Sequence, residues 1–418
     1  MNIWLLSPFS PLPKTDAHES RTATLARVLV NAGHRVEWFS SDFDHRTKEH
    51  VHHSALISPA TIHLIPTPRY AKNISFRRFL SHWIWGRRLV RIARRSVQKG
   101  ELEKPDLILA SSPPLDAPKA AFQLRATYGC PVKIDLTDLW PYTFERIFKV
   151  PCLSGFDKWK VTGRSSHTCV PEPHAQHTFF LRPLYRMGHT QWRLADGVSA
   201  MSREYLDELL RVAPEQDTHL CYIGGTILPH VPRPRPEAAS PCVSFLYLGA
   251  LTDSYDFPTL FAACEILLAE GVPFHIHIAG SGPQEHELQD RVRNSTLASC
   301  VTFHGFLHEQ DMFNLCTQSD VGLNIIRPGL HITMPHKLND YLCAGLPILN
   351  SLQGEAANLL DTYHAGITYT PGDPDSLKAA MHFYIKKRNA PQSGAQTAAR
   401  ELLDRRKTYP EWAEWLVS

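Results

Sequence analysis

The sequence predicts two doubly wound α/β domains in tandem, and three observations carry that prediction. Short apolar runs alternate with stretches of helical periodicity through the first half of the chain. The same alternation restarts near Ser244. Between the halves lies PHVPRPRPEAASP, Pro229 to Pro241, whose prolines stiffen the chain and cannot donate sheet hydrogen bonds. Strands that alternate with helices build a parallel sheet covered on both faces. The expected division is a first domain over 1–228, a linker over 229–242, a second domain over 243–390 and a helical segment over 391–418 that crosses back to the first domain.

The elements follow in order. Asn2 to Leu6 is an apolar strand. Ala23, Leu25, Ala26, Leu29 and Val30 recur at helical spacing within Thr15 to Asn31, and Gly33 closes that helix. Arg35–Phe39, Thr61–Ile65, Asp106–Ala110 and Val132–Asp135 read as strands, with a helix over 120–128. Ala195–Ala200 is a late strand, and Ser202 caps the helix after it. In the second half, 244–250, 274–279, 301–303, 321–325, 347–350 and 366–369 read as strands. Helices are expected at 257–269, from Glu285, at 309–317, 334–344 and 355–360, and from Pro374–Asp375. Two such domains leave a cleft at the carboxyl ends of their strands, where ligands of doubly wound sheets bind.

Composition narrows the function. With 418 residues, 43% of them hydrophobic, the chain can fill two or three ordinary cores. A formal net charge of +3 gives no global case for nucleic acid. No run of eighteen apolar residues reads as a membrane span, and MNIWLLSPFSPLP lacks a basic lead and reads as a strand rather than a signal peptide. The nine cysteines form no close pair, which predicts reduced thiols in a cytoplasmic setting. The 23 histidines show no metal spacing, so no metal is expected.

Three stretches carry chemistry. In IHIAGSGPQEHELQ, Gly280 and Gly282 let backbone approach a ligand while the following helix amides face a negative group; a purely structural turn uses the same letters. In MPHKLNDYLCAGLPILNS, Lys337 can neutralise a phosphate, and Asp340 can accept from ribose hydroxyls, or the pair is simply a solvated helix start. In VTFHGFL, backbone from Gly305 and Phe306 can meet the edge of a base.

The order YLG, FHIHIAGSGP, VTFHGF, DVGLN, MPHKLNDYLCAGLPILNS, GEAANLL, AGITYTPGDPDSL resembles the retaining glycosyltransferases of the GT4 family, which have the GT-B fold. NAGHRV, PDLILASSPP and LTDLWP agree in outline, so the resemblance runs from Asn2 to Leu377. It implies a nucleotide-sugar donor, UDP-linked as the family-weighted choice, held mainly by the second domain. The acceptor would be a glycan or a polyprenyl-linked sugar in cell-envelope polysaccharide synthesis. The implied donor residues are Gly280, Gly282, Gly305, Phe306, Arg327, Lys337, Asp340, Gly354 and Glu355. Asp340 matches the second of the family's spaced acidic pair. The first falls on Ile332. The family's basic pair after the first strand of the donor domain falls on Ala250 and Asp256, which leaves Lys337 and Arg327 as the basic candidates.

No enzyme nucleophile is expected. A departing diphosphate is met by amides and a lysine, and the acceptor attacks from the face it leaves. Asp138, in LTDLWPYTFE, is the candidate for orienting sugar or acceptor, or else a helix cap. Asp138 and Lys337 are the catalytic candidates. Thr15, Asp16, His18 and Glu19 are expected on the acceptor side. The stretch 74–100 is rich in arginine and contains no acid. Arg77, Arg78, Trp83, Trp85, Arg87, Arg88 and Arg91 are expected to contact an anionic membrane, placing the protein peripherally on the inner face; a structural helix and nucleic acid are the alternatives. Competing functions are a catalytically silent nucleotide-sugar-binding scaffold, favoured by Ile332, Ala250 and Asp256, and a nucleotide-sugar epimerase. Oligomeric state is open.

Overall fold

The computed structural model describes residues 1–13, 19–45, 47–51, 58–72, 75–143, 181–227, 242–330, 332–387 and 394–418. Thr15, Asp16 and His18 therefore lie outside the described residues, as does the proline-rich linker apart from its last residue. The chain divides into two compact units, Met1–Cys221 with Arg406–Ser418, and Tyr222–Arg405.

The first unit is built on a parallel sheet of β1 (Asn2–Leu6), β2 (Arg35–Ser41), β3 (Thr61–Ile65), β4 (Leu107–Ser112), β5 (Val132–Leu136), β6 (Gly197–Ala200) and β7 (Thr218–Leu220), in the order β3-β2-β1-β4-β5-β6-β7. Its described helices are α1 (Arg21–Asn31), α2 (Phe76–Gln98), α3 (Asp116–Tyr128), α4 (Arg182–Leu194) and α5 (Arg203–Val212). Strand alternation sets the two faces. Ile3 and Leu5 of β1 join Leu25 and Leu29 of α1 in one core, while Trp4 and Leu6 join Trp85 and Leu89 of α2 and Leu124 of α3 in the other. The sequence reading did not single out α4 and β7. The buried stripe of α4 includes Gly188 and Gln191 beside Tyr185 and Trp192, so it does not read as apolar, and β7 is three residues long.

Arg21 ties the C-terminal helix to this unit. Its guanidinium is buried and grips both oxygens of Asp135 on β5 at 2.9 and 2.8 Å, and it lies 4.0 Å over the ring of Trp412. Ser199 of β6 donates to the same carboxylate. Burial works against the charge, but Asp135 more than offsets it, so the pKa of Arg21 is raised. Tyr409, Trp412 and Leu416 then pack into the α1 face of the sheet.

The second unit holds the parallel sheet β10-β9-β8-β11-β12-β13, formed by β8 (Val243–Leu248), β9 (Phe274–Ala279), β10 (Val301–Gly305), β11 (Val321–Asn324), β12 (Ile348–Asn350) and β13 (Gly366–Thr368). Its helices are α6 (Phe257–Ala269), α7 (Glu285–Arg293), α8 (Glu309–Gln318), α9 (His336–Cys343), α10 (Glu355–Thr362), α11 (Pro374–Lys386) and α12 (Gly394–Ala398); α13 (Arg405–Val417) follows and returns the chain to the first unit. Phe257 and Phe261 of α6 and Leu377 and Met381 of α11 fill the core against Phe245 and Tyr247. On the opposite face α9 lays the Tyr341 ring on Gly322, where an added Cβ would come within 2.5 Å of the ring. Both sheets are wholly parallel and doubly wound, as the alternation predicted, and the two-unit architecture is that of the GT-B fold.

Candidate functional site

In doubly wound sheets ligands bind at the carboxyl ends of the strands where the winding reverses. The second unit winds β8 to β9 to β10, then restarts on the other side of β8 with β11, so the switch lies between β8 and β11. Those two strands pair only at Val321↔Phe245 and Gly322↔Leu246. Beyond that point they part around the hydroxyl of Tyr341, which accepts from Leu248 N at 2.7 Å and contacts Leu246 O at 3.0 Å and Leu323 O at 3.3 Å. One buried side chain thus satisfies the backbone groups that the split exposes.

The loop after β8 carries Gly249, Ala250 and the turn to Asp256. Asp256 caps α6, accepting from Thr259 N at 3.2 Å, which explains an acid where the GT4 resemblance implied a base. Arg327, just past β11, crosses this loop: its backbone N–H donates to Ser254 O and its guanidinium to Asp253 O at 3.2 Å. Beside it the carboxyl ends of β11 and β12 are locked together. Asn324 donates to Asn350 Oδ1 at 2.8 Å, and Ser351 Oγ bonds the backbone of Asn324 and Ile326. Asn324, Asn350 and Ser351 stand in the motifs DVGLN and MPHKLNDYLCAGLPILNS, where their letters alone imply no such role.

Helix α9 begins at the same place. Lys337 is 6% exposed, and its Nζ has no hydrogen-bond partner. The amine lies 3.9 Å from the centre of the Tyr247 ring and 3.7 Å from that of Tyr255. Burial drives its pKa well below the ordinary lysine value, and Asp340, one turn on, pulls the other way. The lysine expected to neutralise a phosphate, or else to be solvated at a helix start, is therefore held inside the unit, against Gly249. A Cβ at Gly249 would stand 3.2 Å from Nζ. Asp340 is half-buried, and its charge also reaches Cys316 and Cys343.

Other expected donor residues fare differently. Gly280 and Gly282 answer to loop packing: a Cβ at Gly280 would fall 1.8 Å from Gly249 O, and one at Gly282 2.3 Å from Leu251 O. The amide of Gly280 is already given to Gly305 O at 2.7 Å. Gly305 has φ +66° and open space where a side chain would stand, and Phe306 beside it is 72% exposed. Gly354 caps α10 with φ +73°. Glu355 is buried and accepts from Tyr222 Oη at 2.7 Å, so its carboxylate is turned to the chain that enters the second unit.

In the first unit, Asp138 bonds its own turn. It accepts from Leu139 N at 2.8 Å, Trp140 Nε1 at 3.1 Å and Thr143 Oγ1 at 2.8 Å, the cap alternative of the sequence reading. Glu19 grips Arg27 with both oxygens at 2.9 Å. What gathers near the carboxyl ends of β1, β2 and β5 is a cluster of rings. His82 meets Phe9, Phe79 and Trp140 with centroids 4.5–6.0 Å away, and Arg78 lies over Phe9 and Trp140 at 5.6 and 5.2 Å. His45 Nδ1 meets Tyr70 Oη at 2.7 Å. Burial, then Arg78, lowers His45 to about 4 and His82 to about 2, so both rings are neutral at pH 7.

Helix α2 corrects the proposed membrane face. Trp85 is 1% exposed and belongs to the core, and Arg78 is half-buried in the ring cluster, so neither faces a membrane. Phe76, Leu80 and Trp83 are exposed on one stripe, at 81%, 38% and 44%. Arg77, Arg87, Arg88 and Arg91 are exposed as expected, with Arg87 over the Trp83 ring and Arg88 donating to Pro66 O. No helix of the described residues is long and apolar enough to cross a membrane, and among them no group of three or more His, Cys, Asp or Glu side chains could hold a metal ion.

Residues 242–387 match the family model described as Glycosyl transferases group 1. The match spans β8 through α11 and so contains the whole switch-point site. The putative colanic acid biosynthesis glycosyltransferase WcaL of Salmonella typhimurium is 22% identical over 162 residues, which are 38% of this chain and 40% of that protein. The match thus spans about two fifths of the length of the curated relative. Among solved structures, Anabaena Alr3699/HepE in complex with UDP superposes with a TM-score of 0.66 at 15% identity over 100% of both chains. The lipopolysaccharide outer core galactosyltransferase WaaB superposes at 0.64 and 16%, over 100% of this chain and 99% of that one. Sucrose-phosphate synthase from Thermosynechococcus elongatus superposes at 0.66 and 15%, over 99% and 98%. At these identities the likeness is one of fold.

Proposed function

We propose that the protein is a retaining glycosyltransferase. It moves a sugar from a nucleotide-sugar, UDP-linked as the first choice, to a glycan or lipid-linked acceptor in cell-envelope polysaccharide synthesis. The observation that carries this reading is the switch-point site. Helix α9, with Lys337 and Asp340, meets the ends of β8 and β11 inside the stretch that matches the glycosyl transferase model. HepE, whose solved structure has the same fold, is described in complex with UDP.

In this reading Gly305 and the exposed Phe306 face the base, and Asp340 accepts from the ribose hydroxyls. Arg327, Lys337 and the amides at the start of α10 meet the diphosphate as it leaves with growing negative charge. The acceptor hydroxyl attacks on the face that the diphosphate vacates and passes its proton to a phosphate oxygen, so configuration is retained without an enzyme nucleophile. Acceptor contacts pass from Glu19 and Asp138, both engaged locally, to the ring cluster of Phe9, Tyr70, Arg78 and Trp140. Planar rings beside a guanidinium suit a sugar that carries a phosphate. The apolar stripe Phe76, Leu80, Trp83 with Arg87 and Arg91 suits an anionic membrane that presents such an acceptor.

Purified protein tested against UDP-, GDP-, dTDP- and ADP-sugars, with mass-spectrometric detection of released nucleotide, is expected to bind one donor and hydrolyse it slowly. No binding to any of them would overturn the reading. Asp340→Ala is expected to weaken donor binding about tenfold without unfolding the chain; equal affinity by calorimetry would remove Asp340 from the site. Reversing Arg87 and Arg91 to Glu is expected to abolish sedimentation with vesicles containing phosphatidylglycerol, and unchanged sedimentation would reject the membrane face.

A further inference from the structure

We propose that Lys337 is the cation that reads the donor diphosphate, and that it does so from inside the second unit, through the opening left by the missing side chain of Gly249. The inference rests on the donor reading above and adds the residue that replaces the cations absent from the β8–α6 loop.

The amine is the least expected group in this unit. An ammonium removed from water is costly unless it is paired. Here Nζ lies in a buried residue with no hydrogen-bond partner, and its neighbours are two tyrosine ring faces. Ring faces attract a cation without accepting a conventional hydrogen bond, so they hold the amine in place and leave its three N–H bonds to be used. The hydroxyl of Tyr247 donates to Ala250 O at 2.7 Å, which fixes one wall of the cage to the same loop.

The cage is thinnest at Gly249. Its φ is +137°, and a Cβ there would stand 3.2 Å from Nζ, so the amine lies directly against a residue that has no side chain to cover it. Ala250, next in sequence, is exposed and adds no charge. Gly249 stands at the carboxyl end of β8, the strand from which the winding reverses toward β11, which is where such sheets bind ligands. The charged groups near the amine are few. Asp340 on its own helix is the carboxylate that favours the ammonium. From the loop and strand, Tyr247 and Tyr255 face it and are held neutral by burial first.

A lysine kept for ligand binding carries a signature that a structural lysine does not. Lys337→Met keeps the length and ring contacts of the side chain and removes a buried polar atom without a partner. The variant is expected to unfold at a higher urea concentration than wild type while binding nucleoside diphosphate more weakly. Titration calorimetry with UDP, GDP, dTDP and ADP identifies the diphosphate that the wild type binds. For that diphosphate Lys337→Met is expected to lose about 10- to 100-fold in affinity, and for its bare nucleoside less than about twofold. Adding Ala250→Arg places a guanidinium on the outer side of the same opening, and Lys337→Met with Ala250→Arg is expected to recover about tenfold. Equal losses for diphosphate and nucleoside, unchanged diphosphate affinity in Lys337→Met, or an absence of rescue would overturn the inference and leave the donor reading standing. Failure of the wild type to bind any of the four would remove the donor reading and the inference together.

Discussion

Tyr341→Phe isolates the single atom that holds the second sheet open. The ring stays, and so does its contact with Gly322; only the hydroxyl is lost. That hydroxyl accepts from Leu248 N at 2.7 Å and supplies one proton to carbonyls at 3.0 and 3.3 Å. Tyr341 is fully buried and Leu248 nearly so, which leaves no route for solvent to replace it. A buried group stripped of its partner costs about 1–3 kcal/mol. The orphaned N–H counts in full and the two carbonyls share one lost bond, so the expected loss of stability is about 2–4 kcal/mol. Urea unfolding followed by far-ultraviolet circular dichroism measures it, with an unchanged m-value expected because the surface exposed on unfolding is the same. Hydrogen exchange at the Leu248 amide should accelerate in parallel. A loss below about 0.5 kcal/mol, with Leu248 still protected, would mean that the strands close on each other without the hydroxyl, and the wedge account would be wrong.

Arg21→Met leaves Asp135 buried and short of its bidentate partner and removes the cation stacked on Trp412. A loss of about 3–5 kcal/mol is expected by urea unfolding, and a loss near zero would show that the pair contributes no specificity to helix docking. His82 tests the pH response of the first unit. Its folded pKa is lowered to about 2, chiefly by burial, so below the ordinary histidine value of about 6.5 the unfolded chain binds a proton that the folded chain refuses. The stability contributed by the neutral ring is present above about pH 6.5 and falls by about 1.4 kcal/mol per pH unit below it. His82→Phe should flatten the stability profile between about pH 5 and 6.5 by that slope, and an unchanged profile would show that the ring already accepts a proton in the native state.

The sequence exposed the frame of this molecule more readily than its site, for a physical reason. Parallel strands buried on both faces read as apolar runs, so strands such as Phe274–Ala279 are legible to the residue, and Phe257–Ala269 is legible as an apolar run too long for a strand. Helix α4 is harder because Gly188 and Gln191 stand in its buried stripe. Side-chain roles depend on partners that lie far away in sequence. Gly280 and Gly282 look like a phosphate turn, yet what they meet is the backbone of Gly249 and Leu251. Trp85 and Trp83 are two residues apart on one helix, and the helical rotation between them puts one in the core and the other in solvent. Lys337 stands in the motif to which the resemblance gave a donor role. Its burial was not legible, because Tyr247 and Tyr255 come from another strand and another loop. Asp138 reads equally as cap or catalyst until its three donors are seen.

All nine tryptophans of the chain fall within the residues of the first unit, including the two that the C-terminal helix brings back to it; the second unit has none between Tyr222 and Arg405. The protein therefore carries a natural optical label on one of its two halves. Selective excitation of tryptophan follows the melting of the first unit alone, while circular dichroism sees both, so two unfolding steps would separate without any engineered probe. A change of tryptophan emission on adding UDP would report on the first unit alone.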